Sequence, residues 1–191
     1  MSRWRLYADA GNTALKWAVY ADGRWPAEGR VEVGDLASAG SELAGVLALA
    51  GLDPEDCEGA ALVSSRPSQA GEAQSALAAA TGQDVRLLGR DLHAGIEVAY
   101  LDPSEIGQDR LALAEGALAL TGAPVIVVAA GTCITAQALD AEGTLVGGAI
   151  AAGLEAQVAG ICEVVPHLRT HVREALGVLR SGHDAPEIGR S

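Results

Sequence analysis

The segment Ala8-Asp9-Ala10-Gly11-Asn12-Thr13 carries a strand into a turn of small residues, and Val128-Ala129-Ala130-Gly131-Thr132-Cys133 does the same later in the chain. In both, twelve positions separate the key glycine from a second glycine preceded by an acid, Gly11 to Asp22-Gly23 and Gly131 to Glu142-Gly143. A polar residue, Asn12 or Thr132, follows each key glycine. Short hairpins containing glycine are common, but the matched spacing and matched polar residue favour an internal duplication. Each copy reads as strand, small-residue turn, strand.

Working outward from the first copy, strands are expected over Arg5 to Ala10, Ala14 to Tyr20 and Gly29 to Val33. Helices over Leu36 to Gly51 and Gln69 to Thr81 alternate with strands over Ala60 to Ser64 and Val85 to Leu88, the pattern of an α/β lobe. A turn-rich passage through Asp91, Gly95 and Asp102-Pro103 precedes a helix over Asp109 to Leu120, with Leu111, Ala114 and Leu118 on one face. Around the second copy, Pro124 to Val128 reads as a buried strand, followed by strands over Cys133 to Leu139 and Thr144 to Ile150. Helices around Leu154 to Ile161 and Pro166 to Leu179 complete the pattern. These elements divide into two lobes, residues 1–101 and 102–191, with the boundary near Leu101.

Composition narrows the function classes. The chain has 191 residues, 49% hydrophobic, with no Phe, so small and branched aliphatic side chains fill its core. A net charge of −12 argues against nucleic acid, because tracking a phosphate backbone takes clustered Lys and Arg. No apolar run has transmembrane length, and the opening Met-Ser-Arg-Trp-Arg-Leu-Tyr enters a strand without a signal-peptide pattern, so a cytoplasmic protein is expected. Cys57, Cys133 and Cys162 are odd in number and fit reduced thiols. His167 and His171 are spaced for one helix face, but no Glu follows His167 in the metalloprotease pattern, and an exposed face is the simpler reading.

A Gly turn with Asn or Thr lets backbone N–H groups approach phosphate oxygens, and two such turns facing each other would clamp a triphosphate; an ordinary hairpin needs the same glycine. Asp9 ends its strand beside the turn, where a carboxylate can hold a hydrated divalent cation that bridges phosphates. Lys16, the only lysine in the chain, is a candidate phosphate contact or a solvated sheet residue. Asp109 starts a helix, where an acid either offsets the helix dipole or accepts the proton of an attacking hydroxyl, and Arg110 beside it suits a substrate carboxylate or a phosphoryl group in transit. Gly147-Gly148-Ala149-Ile150-Ala151-Ala152-Gly153 allows close approach of a nucleotide, a weak signal alone.

In combination and in order, these segments resemble the type III pantothenate kinases, members of the acetate and sugar kinase, heat-shock cognate and actin superfamily. Asp9-Ala10-Gly11-Asn12-Thr13 with Lys16 is similar to the family's first phosphate motif. Tyr100, Pro103 and Gly107-Gln108-Asp109-Arg110 resemble its pantothenate and base motif, while Gly131-Thr132 and Gly147 to Ile150 with Gly153 resemble its second phosphate and nucleotide motifs. The resemblance spans Leu6 to about Gly153. It implies two ribonuclease H-like, actin-like ATPase lobes with duplicated phosphate motifs. It implies transfer of the ATP γ-phosphoryl to the primary hydroxyl of pantothenate, with Asp109 as base. Asp9, Ala10, Gly11, Asn12, Thr13, Ala14, Leu15, Lys16 and Thr132 would contact ATP, and Tyr100, Gly107, Gln108, Asp109 and Arg110 would contact pantothenate. It also implies a homodimer, a magnesium-type divalent cation held through water by Asp9, and potassium or ammonium.

Three departures accompany the resemblance. The family's second phosphate motif begins with an Asp that helps hold the monovalent cation; that position is Ala129. A second family Asp is Gln137. The family continues past a Gly-Arg-Ser-Thr-like segment whose Thr contacts pantothenate, whereas this sequence reaches Gly189-Arg190-Ser191, so the second lobe is expected to be incomplete. A weakly active or inactive relative with a binding or regulatory role is the alternative, and an unrelated actin-like sugar kinase or phosphatase would keep the repeat without needing Tyr100 or Gly-x-Asp-Arg.

Overall fold

The structure, a computed structural model, describes residues 3–100, 102 and 106–171. Three strands open it: β1 (Trp4–Ala10), β2 (Ala14–Ala21) and β3 (Arg24–Glu32). Asp22 and Gly23, both at positive φ (49° and 77°), make the two-residue turn between β2 and β3, a conformation that an Asp-Gly pair adopts readily. A 3₁₀ turn over Val33–Ser38 leads into α1 (Ala39–Leu49); β4 (Cys57–Ser64), α2 (Pro67–Thr81) and β5 (Val85–Leu87) follow.

The five strands form one sheet in the order β3-β2-β1-β4-β5, antiparallel on the β2 side of β1 and parallel on the β4 side. Alternation along β1 sends Trp4, Leu6, Ala8 and Ala10 to one face, where Leu15, Trp17 and Val19 of β2 and Leu43, Leu47, Ala73 and Leu77 of the helices join them in the core. The helices meet closely: a Cβ at Gly40 would lie 2.7 Å from the Ala76 carbonyl oxygen. The opposite face of β1 to β3 is open and carries Tyr7, Tyr20 and Trp25, with ring centroids 5.8 and 5.0 Å from Trp25.

α3 (Gln108–Thr121) packs against β4. It also shares a second apolar cluster, with Leu111 and Ala114 against Ile106, Leu139 and Leu145, and Tyr100 and Val98 at its edge. Then come β6 (Val125–Ala130), β7 (Cys133–Leu139), β8 (Leu145–Ala152) and α4 (Leu154–Val164), with a 3₁₀ turn over Pro166–Leu168. The second sheet has the order β6-β7-β8, so among the described residues it reproduces the three-strand meander of the first sheet without counterparts of β4 and β5.

Contacts divide the chain into two compact units, Met1–Val127 with Gln137–Gly147, and Val128–Ala136 with Gly148–Ser191. The boundary expected near Leu101 falls at a residue outside the described ones, as do Pro103, the later part of the helix expected to reach Leu179, and Gly189-Arg190-Ser191.

Two expectations need correcting. β3 begins at Arg24 rather than Gly29; it is an edge strand, where Pro26 and alternating charges are tolerated because one side of the strand needs no ladder. β6 is not buried on both faces. Ile126 and Val128 are 72% and 60% exposed, since β6 is an edge of the second sheet among the described residues. No helix of the described residues is long and apolar enough to cross a membrane.

Candidate active site

Asp9 arrives at the end of β1 because that strand's alternation turns it to the open face, opposite Lys16 on β2. Its Oδ1 is buried without a hydrogen-bond partner among the described residues. Burial pushes the Asp9 carboxyl above its ordinary range; Lys16 opposes the shift and the charge of Asp109 adds to it. Lys16 and Asp109 therefore each lie within electrostatic reach of Asp9. A groove of about 630 Å³ runs along the open face from this pair, lined by Tyr7, Asp9, Lys16, Ala18, Glu28 and Arg30.

The turn itself is held from several sides. Gly11 N–H donates to Ala14 O (3.0 Å), Val33 N–H to Thr13 O (2.9 Å) and Ser65 N–H to Ala10 O (3.1 Å). Arg66 Nη1 donates to Asn12 O at 3.2 Å, which brings a guanidinium to the turn. Sequence reading missed Arg66. Its signal was the Ser-Ser-Arg-Pro run that follows β4, the parallel neighbour of β1, since ends of adjacent parallel strands lie side by side.

Asp109 lies in the first turn of α3, whose N-cap, Gly107, offers no side chain to cap it. A Cβ at Gly107 would collide with Asp109 Oδ1, so the carboxylate is folded back over the helix start and only glycine leaves it room. Leu111 and Ala114 pull the helix onto its cluster, and Tyr100 packs at that cluster's edge, so Tyr100 and the Gly107 to Arg110 run share one neighbourhood.

In the other unit, Gly131 N–H donates to Cys133 O and Gly153 N–H to Thr132 O, both at 2.9 Å. Gly153 is buried, and a Cβ there would run into the Gly131 and Thr132 carbonyl oxygens. The Gly131-Thr132 turn and the glycine that starts α4 are thus in direct contact. Ala129, half-buried on β6, presents a methyl group that coordinates nothing.

Gln137 is buried, 3% exposed, with both amide atoms unpartnered among the described residues. A neutral amide there brings no charge to its buried surroundings. Among the described residues no three His, Cys, Asp or Glu side chains group to hold a metal ion.

Known proteins resemble this chain in sequence and in fold. The family profile of type III pantothenate kinase matches residues 5–170. A type III pantothenate kinase of Thiobacillus denitrificans is 35% identical over 156 residues, which is 81% of this chain and 59% of that protein. One from Laribacter hongkongensis is 38% identical over 78% of this chain and 58% of its own length, and one from Azoarcus is 31% identical over 96% and 71%. The chain thus spans about three fifths of the length of most of these relatives.

Among solved structures, the activator of 2-hydroxyisocaproyl-CoA dehydratase from Clostridium difficile, with bound ADPNP, aligns over 100% of this chain and 60% of its own at a TM-score of 0.51 and 15% identity. The Acidaminococcus fermentans (R)-2-hydroxyglutaryl-CoA dehydratase component A aligns over 96% and 70% at 0.50 and 16%. At such identities the likeness shows the fold alone, which is the actin-like ATPase fold. The profile match over most of the sequence, on a chain that joins an Asp-x-Gly-Asn-Thr turn to a Gly-x-Asp-Arg helix start, shows that this protein belongs to the type III pantothenate kinase family.

Proposed function

We propose that the chain is a pantothenate kinase, transferring the ATP γ-phosphoryl to the primary hydroxyl of pantothenate to give 4'-phosphopantothenate, the opening step of coenzyme A synthesis. The observation that carries this reading is the match of the type III pantothenate kinase profile over residues 5–170, with Asp109, at the start of α3, close enough for its charge to act on Asp9. In the reaction the hydroxyl oxygen attacks the γ-phosphorus, the bond to the bridging oxygen breaks, ADP leaves, and Asp109 takes the hydroxyl proton.

The segment Asp9 to Lys16 and Thr132 bind ATP, with the turn's N–H groups and Lys16 on the phosphates. Tyr100 and Gly107 to Arg110 bind pantothenate, Arg110 matching its carboxylate or the moving phosphoryl. The unpartnered oxygen of Asp9 fits a hydrated divalent cation, which when bound would offset negative charge on the phosphates. The residues fit a monovalent cation poorly, because Ala129 has no oxygen to offer, and this supports slow turnover.

We further infer a lobe boundary at residues 101/102, a cytoplasmic location and a homodimer, with the apolar α3 region and family likeness supporting the last. Phosphopantothenate formation measured with excess potassium or ammonium tests the function. No product from this chain, nor from one extended past Ser191 by a relative's sequence, would replace the kinase reading with a binding or regulatory role. Light scattering that finds only monomer at micromolar concentration would remove the dimer.

A further inference from the structure

The turn after β5 is tied closely to the first sheet. Leu88 N–H donates to Leu62 O at 2.9 Å, the N–H groups of Arg90, Asp91 and Leu92 turn back on Leu87 O at 3.2, 2.8 and 3.2 Å, and Gly89 N–H reaches Leu92 O at 2.7 Å. The Asp91 carboxylate accepts from Leu87 N–H at 2.9 Å while pairing with Arg90 at 2.7 Å. Leu87 is in register with Leu62 of β4, and β4 with β1, where Val63 stands beside Asp9. Gly89 is therefore a fixed point in the frame that carries Asp9.

Gln108 rests on that point. A Cβ at Gly89 would lie 2.7 Å from Gln108 Cδ, 2.8 Å from Cγ and 3.0 Å from Oε1, so the glutamine side chain fills the volume that glycine leaves free. Gly89 has a φ of +88°, which also suits glycine. Two turns along the same helix face, Glu115 Oε1 accepts from Gly95 N–H at 3.0 Å, and a Cβ at Gly95 would lie 2.9 Å from that oxygen. One face of α3 is thus seated at two glycines of the segment that follows β5. No side chain caps the helix start between them and the site, so capping does not set its position.

We propose that the Gly89–Gln108 contact sets where α3 presents Asp109 relative to Asp9, which makes the Gln108 side chain a positioning group. Its backbone N–H lies in the first turn of the helix, where N–H groups suit a substrate acceptor. The catalytic consequence rests on the reading of Asp109 as proton acceptor; the contact does not. The competing account is that packing of α3 on β4 and of Leu111 and Ala114 in their cluster fixes Asp109 without help from Gln108.

A double-mutant cycle on the full chain separates the two accounts, using Gly89→Ala, Gln108→Ala and the pair together. Steady-state kinetics and amide hydrogen exchange of the α3 first turn are read in each protein. Gly89→Ala is expected to lower kcat by about 10- to 100-fold with the KM for ATP nearly unchanged, since a misplacement near 1 Å can cost about that much. The same change should speed exchange in the first turn of α3 while leaving β1 and β2 unaffected. Gln108→Ala alone, which leaves the space over Gly89 unfilled, should itself speed exchange in the first turn of α3, whereas on the competing account it leaves exchange unchanged. Adding it to Gly89→Ala removes the collision, so the two effects do not add, and the strain of alanine at positive φ is common to the two Gly89→Ala proteins and cancels around the cycle. Gln108→Met, which keeps the side chain's reach without its amide, should retain the parent's slow exchange in the first turn of α3. Additive effects of the two alanines in exchange overturn the proposal. If even the parent makes no phosphopantothenate, coupling in exchange still sustains the positioning contact, and the failure falls on the kinase reading alone.

Discussion

Asp9 and Lys16 face each other across the β1–β2 ladder, yet Asp9 Oδ1 remains buried with no hydrogen-bond partner among the described residues. The lysine lowers the carboxyl's pKa, but burial outweighs it, and Asp109 adds to the rise. The site thus holds an under-compensated anion, the condition that favours a cation bound together with phosphates.

That condition makes the stability of the protein depend on pH. The folded carboxyl of Asp9 titrates above its ordinary value of 3.8, so between 3.8 and the raised value the folded state binds more protons than the unfolded one. Stability is full below that window and falls as pH rises through it. Asp9→Asn should therefore raise the melting temperature at pH 7 and leave it unchanged near pH 3. An equal gain at both pH values would show that the ionised carboxylate carries no penalty.

Asp109→Asn should cut turnover by about 10²- to 10⁴-fold, the usual cost of losing a general base, with ATP binding nearly unchanged. Calorimetric titration with a non-hydrolysable ATP analogue checks the second half. A matched loss of nucleotide affinity would move Asp109 from base to nucleotide contact.

Ala129→Asp should raise turnover by about 10²- to 10³-fold and make it dependent on potassium or ammonium, because one preorganised electrostatic partner is worth on the order of 3 to 4 kcal/mol in the transition state. The substitution belongs both in this chain and in one extended past Ser191 by a relative's sequence. An extended variant no faster than its extended parent would refute the carboxylate explanation.

Gly29→Ala tests the packing behind the groove. A Cβ at Gly29 would lie 2.5 Å from Trp17 Cε2 and Cζ2 and 2.7 Å from Nε1, on an indole that is 3% exposed. Overpacking of this kind costs about 1 to 3 kcal/mol, read as a lower urea midpoint at unchanged slope. Trp17→Leu in the same protein should return part of the loss, and no shift in the midpoint would mean the indole can move aside.

The sequence revealed much of the fold where side chains alternate cleanly. Cys133–Leu139 coincides with β7, and β1, β2 and α3 lie within a residue of their expected spans, because period-2 and period-3.6 patterns there meet no breaker. β3 was harder to read, since Arg24, Pro26, Glu28 and Arg30 resemble a loop when edge position is unknown. The turn at Asp9 to Thr13 and the helix start at Gly107 to Arg110 stood out through residue type at fixed spacing. Arg66 did not, because its place beside Asn12 comes from a parallel pairing between segments 54 residues apart. Gln108 on Gly89 was equally hidden, for such a contact depends on the absence of a side chain at one position and the reach of another.

The two hairpins, finally, are copies that do not share a parity. The first key glycine bonds to Ala14, three residues on, and the second to Cys133, two residues on. The lost residue returns at the far turn, where Asp140 Oδ1 accepts from Glu142 N–H and Thr144 N–H in a loop wider than Asp22-Gly23, so the twelve-residue spacing of the glycines survives. A one-residue slip reverses the face on which a strand residue emerges. Counting from the glycine, Lys16 corresponds to Ala136, but counting from the residue that accepts the glycine's bond it corresponds to Thr135. One repeated pattern has therefore given two unlike hairpins: the second strand of one carries an ammonium group where that of the other carries a hydroxyl.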